Sequence, residues 1–118
     1  MAVQKKKILV VDDDEHVLNF MVRMLVTKGH KVTGASGAEE ALKRYSESYD
    51  LVISDVTMPG KIGLWLLNQI REKSPEVKFI LMSANADFEN LQPLEKCEPT
   101  QFIRKPFKIE EILKKINA

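Results

Sequence analysis

Two short runs, ILVV at 8–11 and LVIS at 51–54, most narrow what this chain can fold into. Neither alternates apolar with polar residues. A strand with one face in water alternates, and a strand that does not is covered on both faces, as in a parallel sheet between helices. Further β-rich stretches lie at Lys31–Ala35, Phe79–Met82 and Phe102–Ile103. Between the runs the apolar period lengthens. Val17, Phe20, Met21, Met24 and Leu25 fall at i, i+3, i+4, i+7 and i+8, one face of a helix that Gly29 is expected to end. Ser36-Gly37-Ala38-Glu39 has the spacing of a capping box and predicts the start of a second helix. Leu66, Leu67 and Ile70 mark a third, and Ile109, Ile112, Leu113 and Ile116 mark the last. Strands alternating with helices imply βαβ units, here five strands and five helices around a parallel sheet. The fourth helix is expected between Asn85 and Thr100, where Pro93 and Pro99 interrupt the pattern. Proline inside a helix costs ~3 kcal/mol, so this helix is expected to be short, displaced or irregular, and residues 87–99 the least protected part of the fold.

At 118 residues, 1–118 reads as a single domain with one core. Hydrophobic residues make up 44% and charged residues 30%, so the chain is globular and not disordered. A net charge of +1 gives no global attraction to nucleic acid or membrane. Cys97 is the lone cysteine and has no Cys/His cluster around it, which argues against an internal disulfide or zinc and fits a reducing compartment. The N-terminal basic stretch is followed by only four apolar residues before acid, too few for a secretory leader, and no span approaches the length of a membrane helix. A cytoplasmic location is expected. Lys5-Lys6-Lys7 reads as a solvated lead-in to the first strand, and His16 and His30, with no ligand partner at helical spacing, read as surface residues.

The run ILVV leads straight into Asp12, Asp13 and Asp14. Adjacent carboxylates repel, and desolvating them costs several kcal/mol per ion. In an open parallel sheet, ligands bind outside the carboxyl ends of the strands. The first strand ends at Asp12-Asp13, the third at Asp55, the fourth at Ser83, and Lys105 follows the fifth. One rim thus gathers three acids, a hydroxyl and an ammonium. Hard oxygen ligands suit Mg²⁺, which takes one or two carboxylates and keeps waters, so a divalent cation among the aspartates is the expected answer to their repulsion. Asp14 is better placed to cap the first helix.

The blocks VVDDDE, YDLVISDVTMPG, GLWLL, LMSA and FIRKPF, in this order and spacing, resemble the receiver domain of two-component response regulators, the CheY-like superfamily, over essentially the whole chain. The resemblance implies a flavodoxin-like doubly wound (βα)5 three-layer sandwich, its five-stranded parallel sheet in the order 2-1-3-4-5. It implies that Asp55 accepts a phosphoryl group from a histidine kinase or a histidine phosphotransfer protein. Asp13, Asp12 partly through water, Asp55 and the Thr57 backbone carbonyl would hold Mg²⁺ (or Mn²⁺). Ser83 would hydrogen-bond the phosphoryl group and Lys105 would pair with it. Phe102 stands at the aromatic switch position, and Pro106 where the preceding peptide bond is usually cis. The chemistry of the residues agrees. A carboxylate attacking an anionic phosphoryl group needs positive charge on both partners, which a divalent cation and Lys105 can supply. A Ser83 hydroxyl that swings toward new acceptor oxygens leaves a gap that Phe102 can enter, coupling charge to packing.

Rival functions fit less of the pattern. An aspartyl-phosphate phosphohydrolase would use Asp12-x-Asp14 or Asp55-x-Thr57, but usually needs a larger core and a cap, so no turnover is expected. A flavin-binding protein of the same fold would want a glycine- and hydroxyl-rich loop after the first strand, where three acids would repel phosphate. A phosphorylation-independent adaptor would keep the fold without needing the intact site. Direct nucleic-acid or membrane binding is not expected, and a monomer or weak dimer is. The chain departs from the family pattern at Glu98-Pro99, where Gly-Ala is common, and at Ile62 and Trp65. Three residues apart on the third helix, Ile62 and Trp65 either fix the start of that helix or form a partner-docking patch.

Overall fold

The computed structural model describes residues 5–56, 63–83, 100–105 and 107–117. Five strands, β1 (Lys7–Val11), β2 (Lys31–Ala35), β3 (Leu51–Asp55), β4 (Lys78–Ser83) and β5 (Thr100–Arg104), form one sheet in the order β2-β1-β3-β4-β5. All four pairings are parallel, with Ile8 beside Val32 and Leu51, Ile53 beside Ile80, and Leu81 beside Phe102. The described helices are α1 (Glu15–Thr27), α2 (Ala38–Arg44), α3 (Gly63–Lys73) and α4 (Ile109–Asn117). The helix expected near Pro93 and Pro99, like Cys97, lies outside the described residues.

Successive strand side chains point to opposite faces, and both faces here are apolar. Leu9, Val11, Val52, Phe79 and Leu81 pack under Ala38, Ala41, Leu66, Leu67 and Ile70 of α2 and α3. Ile8, Val10, Leu51, Ile53, Ile80 and Met82 pack under Met21 and Leu25 of α1 and Ile112 and Ile116 of α4. This is the expected doubly wound three-layer sandwich, and it explains why ILVV and LVI carry no polar alternation.

The helix ends follow their local chemistry. Asp14 Oδ1 accepts hydrogen bonds from the His16 and Val17 amides at 2.9 and 3.3 Å, opening α1 as expected. Gly29 takes φ 95°, and the bonds from His30 N to Leu25 O (3.1 Å) and Gly29 N to Val26 O (3.0 Å) close a Schellman motif. The expected Ser36–Glu39 capping box does not form, and a one-sided contact from the next residue on stands in its place. Gly37 in extended conformation is the N-cap, so the third helical residue is Glu40. Its carboxylate accepts from Ser36 N at 3.1 Å and Ser36 Oγ at 2.9 Å, bonds that lower its pKa.

Three expectations for single residues are corrected. Phe20 is 49% exposed and not part of the core face. Successive helical residues are about 100° apart, and the sheet-facing stripe is centred on Met21, which leaves Phe20 at its edge. His30 is buried, not on the surface, and its Nδ1 accepts a hydrogen bond from the Lys6 amide at 3.1 Å. In the lysine lead-in Lys5 is exposed as expected, but Lys6 and Lys7 are engaged. Lys6 Nζ donates to the Ile116 carbonyl at the end of α4 (2.7 Å), joined there by Lys78 Nζ, while Lys7 Nζ lies 4.5 Å from the Tyr49 ring centroid. Ammonium groups at a helix C-terminus meet its unpaired carbonyls and negative dipole end.

Candidate phosphoacceptor site

The parallel register brings the carboxyl ends of β1, β3, β4 and β5 to one rim, and each contributes a polar side chain there. Asp12 follows β1 and is fully buried, its amide donating to Ala35 O of β2 at 3.1 Å. Asp13 is exposed. Asp55, the last residue of β3, is 8% exposed, and Ser83, the last of β4, is 6% exposed. The Lys105 amide donates to Ser83 O at 2.8 Å, which extends the β4–β5 pairing by one step and delivers the lysine to the rim.

Lys105 Nζ reaches Asp12 Oδ2 at 2.8 Å and Asp55 Oδ2 at 3.0 Å. The other Asp12 oxygen accepts from the Asp14 amide at 2.9 Å. The chain therefore carries its own cation between two of the three acids, an arrangement the sequence had assigned to a metal ion alone. Burial pushes the Asp12 carboxyl above its ordinary pKa, more than Lys105 and the Asp14 amide lower it. Burial acts against the Lys105 ammonium, but its hydrogen bonds to Asp12 and Asp55 and their attraction outweigh it, and its pKa ends above the ordinary value. Lys105 thus stays charged.

Oxygen atoms of Asp12, Asp13 and Asp55 all lie within 4.8 Å of one another. Metal–oxygen distances of ~2.1 Å place opposite oxygens around Mg²⁺ about 4.2 Å apart. The donor set suits a hard divalent cation after a small contraction, or with water completing the shell. Phe102 is half-buried beside Leu81 and packs against the α2–α3 side of the core, as do Val56 and Trp65. Trp65 is thus anchored on the core and only partly exposed, while its expected partner Ile62 lies outside the described residues. So do Thr57 and Pro106.

The response regulator receiver domain family matches residues 8–117. The chain belongs to this family. Among receiver-containing relatives, it is 33% identical over 113 residues to the regulatory protein VanRB of Enterococcus faecalis, covering 95% of this chain and 51% of that protein. The receiver thus spans about half the length of such a relative. In structure it is similar to Vibrio cholerae chemotaxis protein CheY4, with a TM-score of 0.88 and 26% identity, covering 97% of this chain and 98% of the other. It is likewise similar to the response regulator TrrA of Thermotoga maritima, solved in complex with Mg(2+)-BeF. The TM-score there is 0.84 and the identity 34%, covering 95% of this chain and 96% of the other. Among the described residues of the receiver, no helix is long and apolar enough to cross a membrane.

The rim residues named from sequence, Asp12, Asp13, Asp55, Ser83 and Lys105, are all at the carboxyl ends of the strands. Sequence reading missed the direct Lys105–Asp12 link. It also passed over Ser54 as one more residue of an apolar strand, although a hydroxyl among Leu, Val and Ile was the available signal.

Proposed function

We propose that this receiver accepts a phosphoryl group on Asp55 from a histidine kinase or a histidine phosphotransfer protein, and that the modified rim then alters packing around Phe102. The observation that carries the reading is the Asp55 carboxylate held 3.0 Å from Lys105 Nζ beside two further aspartates. The phosphorus–nitrogen bond of a phosphohistidine breaks and a bond from phosphorus to an Asp55 oxygen forms. Asp55 reacts as the carboxylate, so it loses no proton. Lys105 keeps its charge beside Asp12 while sharing it with the incoming phosphoryl oxygens, which holds the anion against three acids. Ser83, at the end of the neighbouring strand, offers the hydroxyl for one of those oxygens.

Asp13, Asp12 in part through water, Asp55 and the Thr57 carbonyl would hold Mg²⁺ or Mn²⁺. When bound, such an ion neutralises and orients the transferring oxygens. The TrrA structure with Mg(2+)-BeF supports the same ion for this rim. Asp12, buried with both oxygens already hydrogen-bonded, suits the water-mediated role, and exposed Asp13 the direct one.

The reaction is a single stoichiometric modification without turnover, so the domain acts as a signalling switch and not as an enzyme. Incubation with an acyl phosphate and Mg²⁺, followed by borohydride trapping and mass spectrometry, is expected to place the label on Asp55. A label elsewhere, or undiminished labelling of Asp55→Asn, overturns the assignment. Steady release of phosphate from a small ester would instead identify a phosphohydrolase.

A further inference from the structure

Ser54 occupies a place where a hydroxyl is out of character. All five residues of β3 are buried, and Ser54 itself is fully so. The register sets it between Val11 of β1 and Leu81 of β4, both fully buried in the core under α2 and α3. Alternation puts it on the same face as Val52. An apolar side chain would fill this position without desolvating a polar group, and a buried hydroxyl persists only with a partner. Its partner is the carbonyl oxygen of Asp55, to which Ser54 Oγ donates at 2.9 Å.

That carbonyl belongs to the peptide unit joining Asp55 to Val56. The other polar group of the unit, the Val56 amide, donates to Met82 O of β4 at 2.8 Å. Both ends of one peptide plane are therefore held, the N–H by the neighbouring strand and the C=O by the preceding side chain. Fixing this plane fixes the ψ angle of Asp55. With the strand setting φ, the point from which the Asp55 side chain leaves the backbone follows, and this is the base from which its carboxylate reaches Lys105 Nζ.

We infer that Ser54 is a positioning residue for the phosphoacceptor: its hydroxyl clamps the peptide plane after Asp55 and so sets the attack geometry of the carboxylate. The inference rests on the reading of Asp55 as the reacting residue. Misplacement of a reacting group by about 1 Å slows reactions by about 100-fold, and loss of one clamp is expected to slow transfer by on the order of tenfold.

Ser54→Thr and Ser54→Val form a nearly isosteric pair that differs in the hydroxyl, and Ser54→Ala removes the hydroxyl without adding volume. The maximal rate of labelling by an acyl phosphate at saturating Mg²⁺ is measured for each, together with the urea midpoint. The expected result is a rate for Thr within about twofold of the parent, with Val and Ala slowed by on the order of tenfold and still folded. Equal rates for Thr and Val, or an Ala variant as fast as the parent, overturn the inference. Exchange of the Val56 amide and the Asp55 carboxyl carbon resonance give a readout that needs no phosphorylation. Both are expected to change in Val and Ala but not in Thr, and no change overturns the clamp. If the parent is labelled at another residue, the assignment of Asp55 fails, while these two signals still decide whether Ser54 orients its carboxylate.

Discussion

Lys105 shows how three carboxylates share one rim. Its ammonium bridges Asp12 and Asp55 across 93 and 50 residues of sequence, respectively. The acids were legible because each ends a recognisable apolar strand. The link between them was not, because a flexible side chain reaching across strands leaves no periodic trace. The sequence alone therefore called for a metal to offset their repulsion, whereas the folded chain supplies part of that charge itself. Lys105→Met keeps most of the stem and removes the charge. Asp12 is then left buried beside Asp55 without its cation, and stability in EDTA is expected to fall by about 1–3 kcal/mol. That is less than the ~3–5 kcal/mol of a fully enclosed orphaned ion, because the rim opens to water on one side. Saturating Mg²⁺ is expected to narrow the deficit, since it neutralises the same carboxylates. Urea unfolding with and without Mg²⁺ measures both, and an unchanged deficit would mean that Lys105 stabilises by packing and not by charge.

At the level of elements, chemistry that is local in sequence was legible, and chemistry set by packing was less so. Asp14 and Gly29 bound α1 as their types require. Ser36 missed by one residue because the adjacent glycine took the cap position. Phe20 missed because a stripe read from spacing alone does not say where its centre faces the sheet. His30 was unreadable, since its partner, the Lys6 amide that donates to Nδ1, lies 24 residues away in sequence. That bond requires an unprotonated Nδ1. Burial, with the Lys6 ammonium adding to it, lowers the His30 pKa below its ordinary value. Between the lowered folded value and the unfolded value of about 6.5, the unfolded chain binds more protons. The stability associated with neutral His30 is thus full above about pH 6.5, is lost as pH falls through that window, and levels off below the folded value. Urea midpoints are expected to fall between about pH 7.5 and about pH 5.5 in the parent, and to fall less in His30→Asn, which starts lower for lack of the acceptor geometry. Equal slopes in the two proteins would assign the proton uptake to other groups.

At the scale of the molecule, the unalternating strands announced a sheet with two apolar faces, and among the described residues the structure resolves these into two separate core layers, one on each side of the sheet. Strand order followed from the family resemblance, since periodicity carries no information about which strands are neighbours. The division matters for signalling because the rim feeds the layers unequally. Phe102, Val56 and Trp65 pack on the α2–α3 side, while Ile103, one residue on, packs on the α1–α4 side. If the proposed rearrangement at Ser83 and Phe102 occurs, it enters the α2–α3 layer first, and among the described residues the sheet is the element that would carry it on to α1 and α4. Ile70 and Ile112 are both fully buried, one in each layer. Ile70→Val and Ile112→Val are each expected to lower stability by about 0.5–1.5 kcal/mol. If the layers relax independently, the double variant is expected to equal the sum within ~0.3–0.5 kcal/mol, as for distant sites without shared partners. A coupling near ~1 kcal/mol would instead show that the sheet carries strain from one layer to the other. Repeating the cycle on the phosphorylated protein makes the comparison functional: coupling that appears only after labelling would locate the step at which a change confined to the Phe102 side becomes a change of the whole domain.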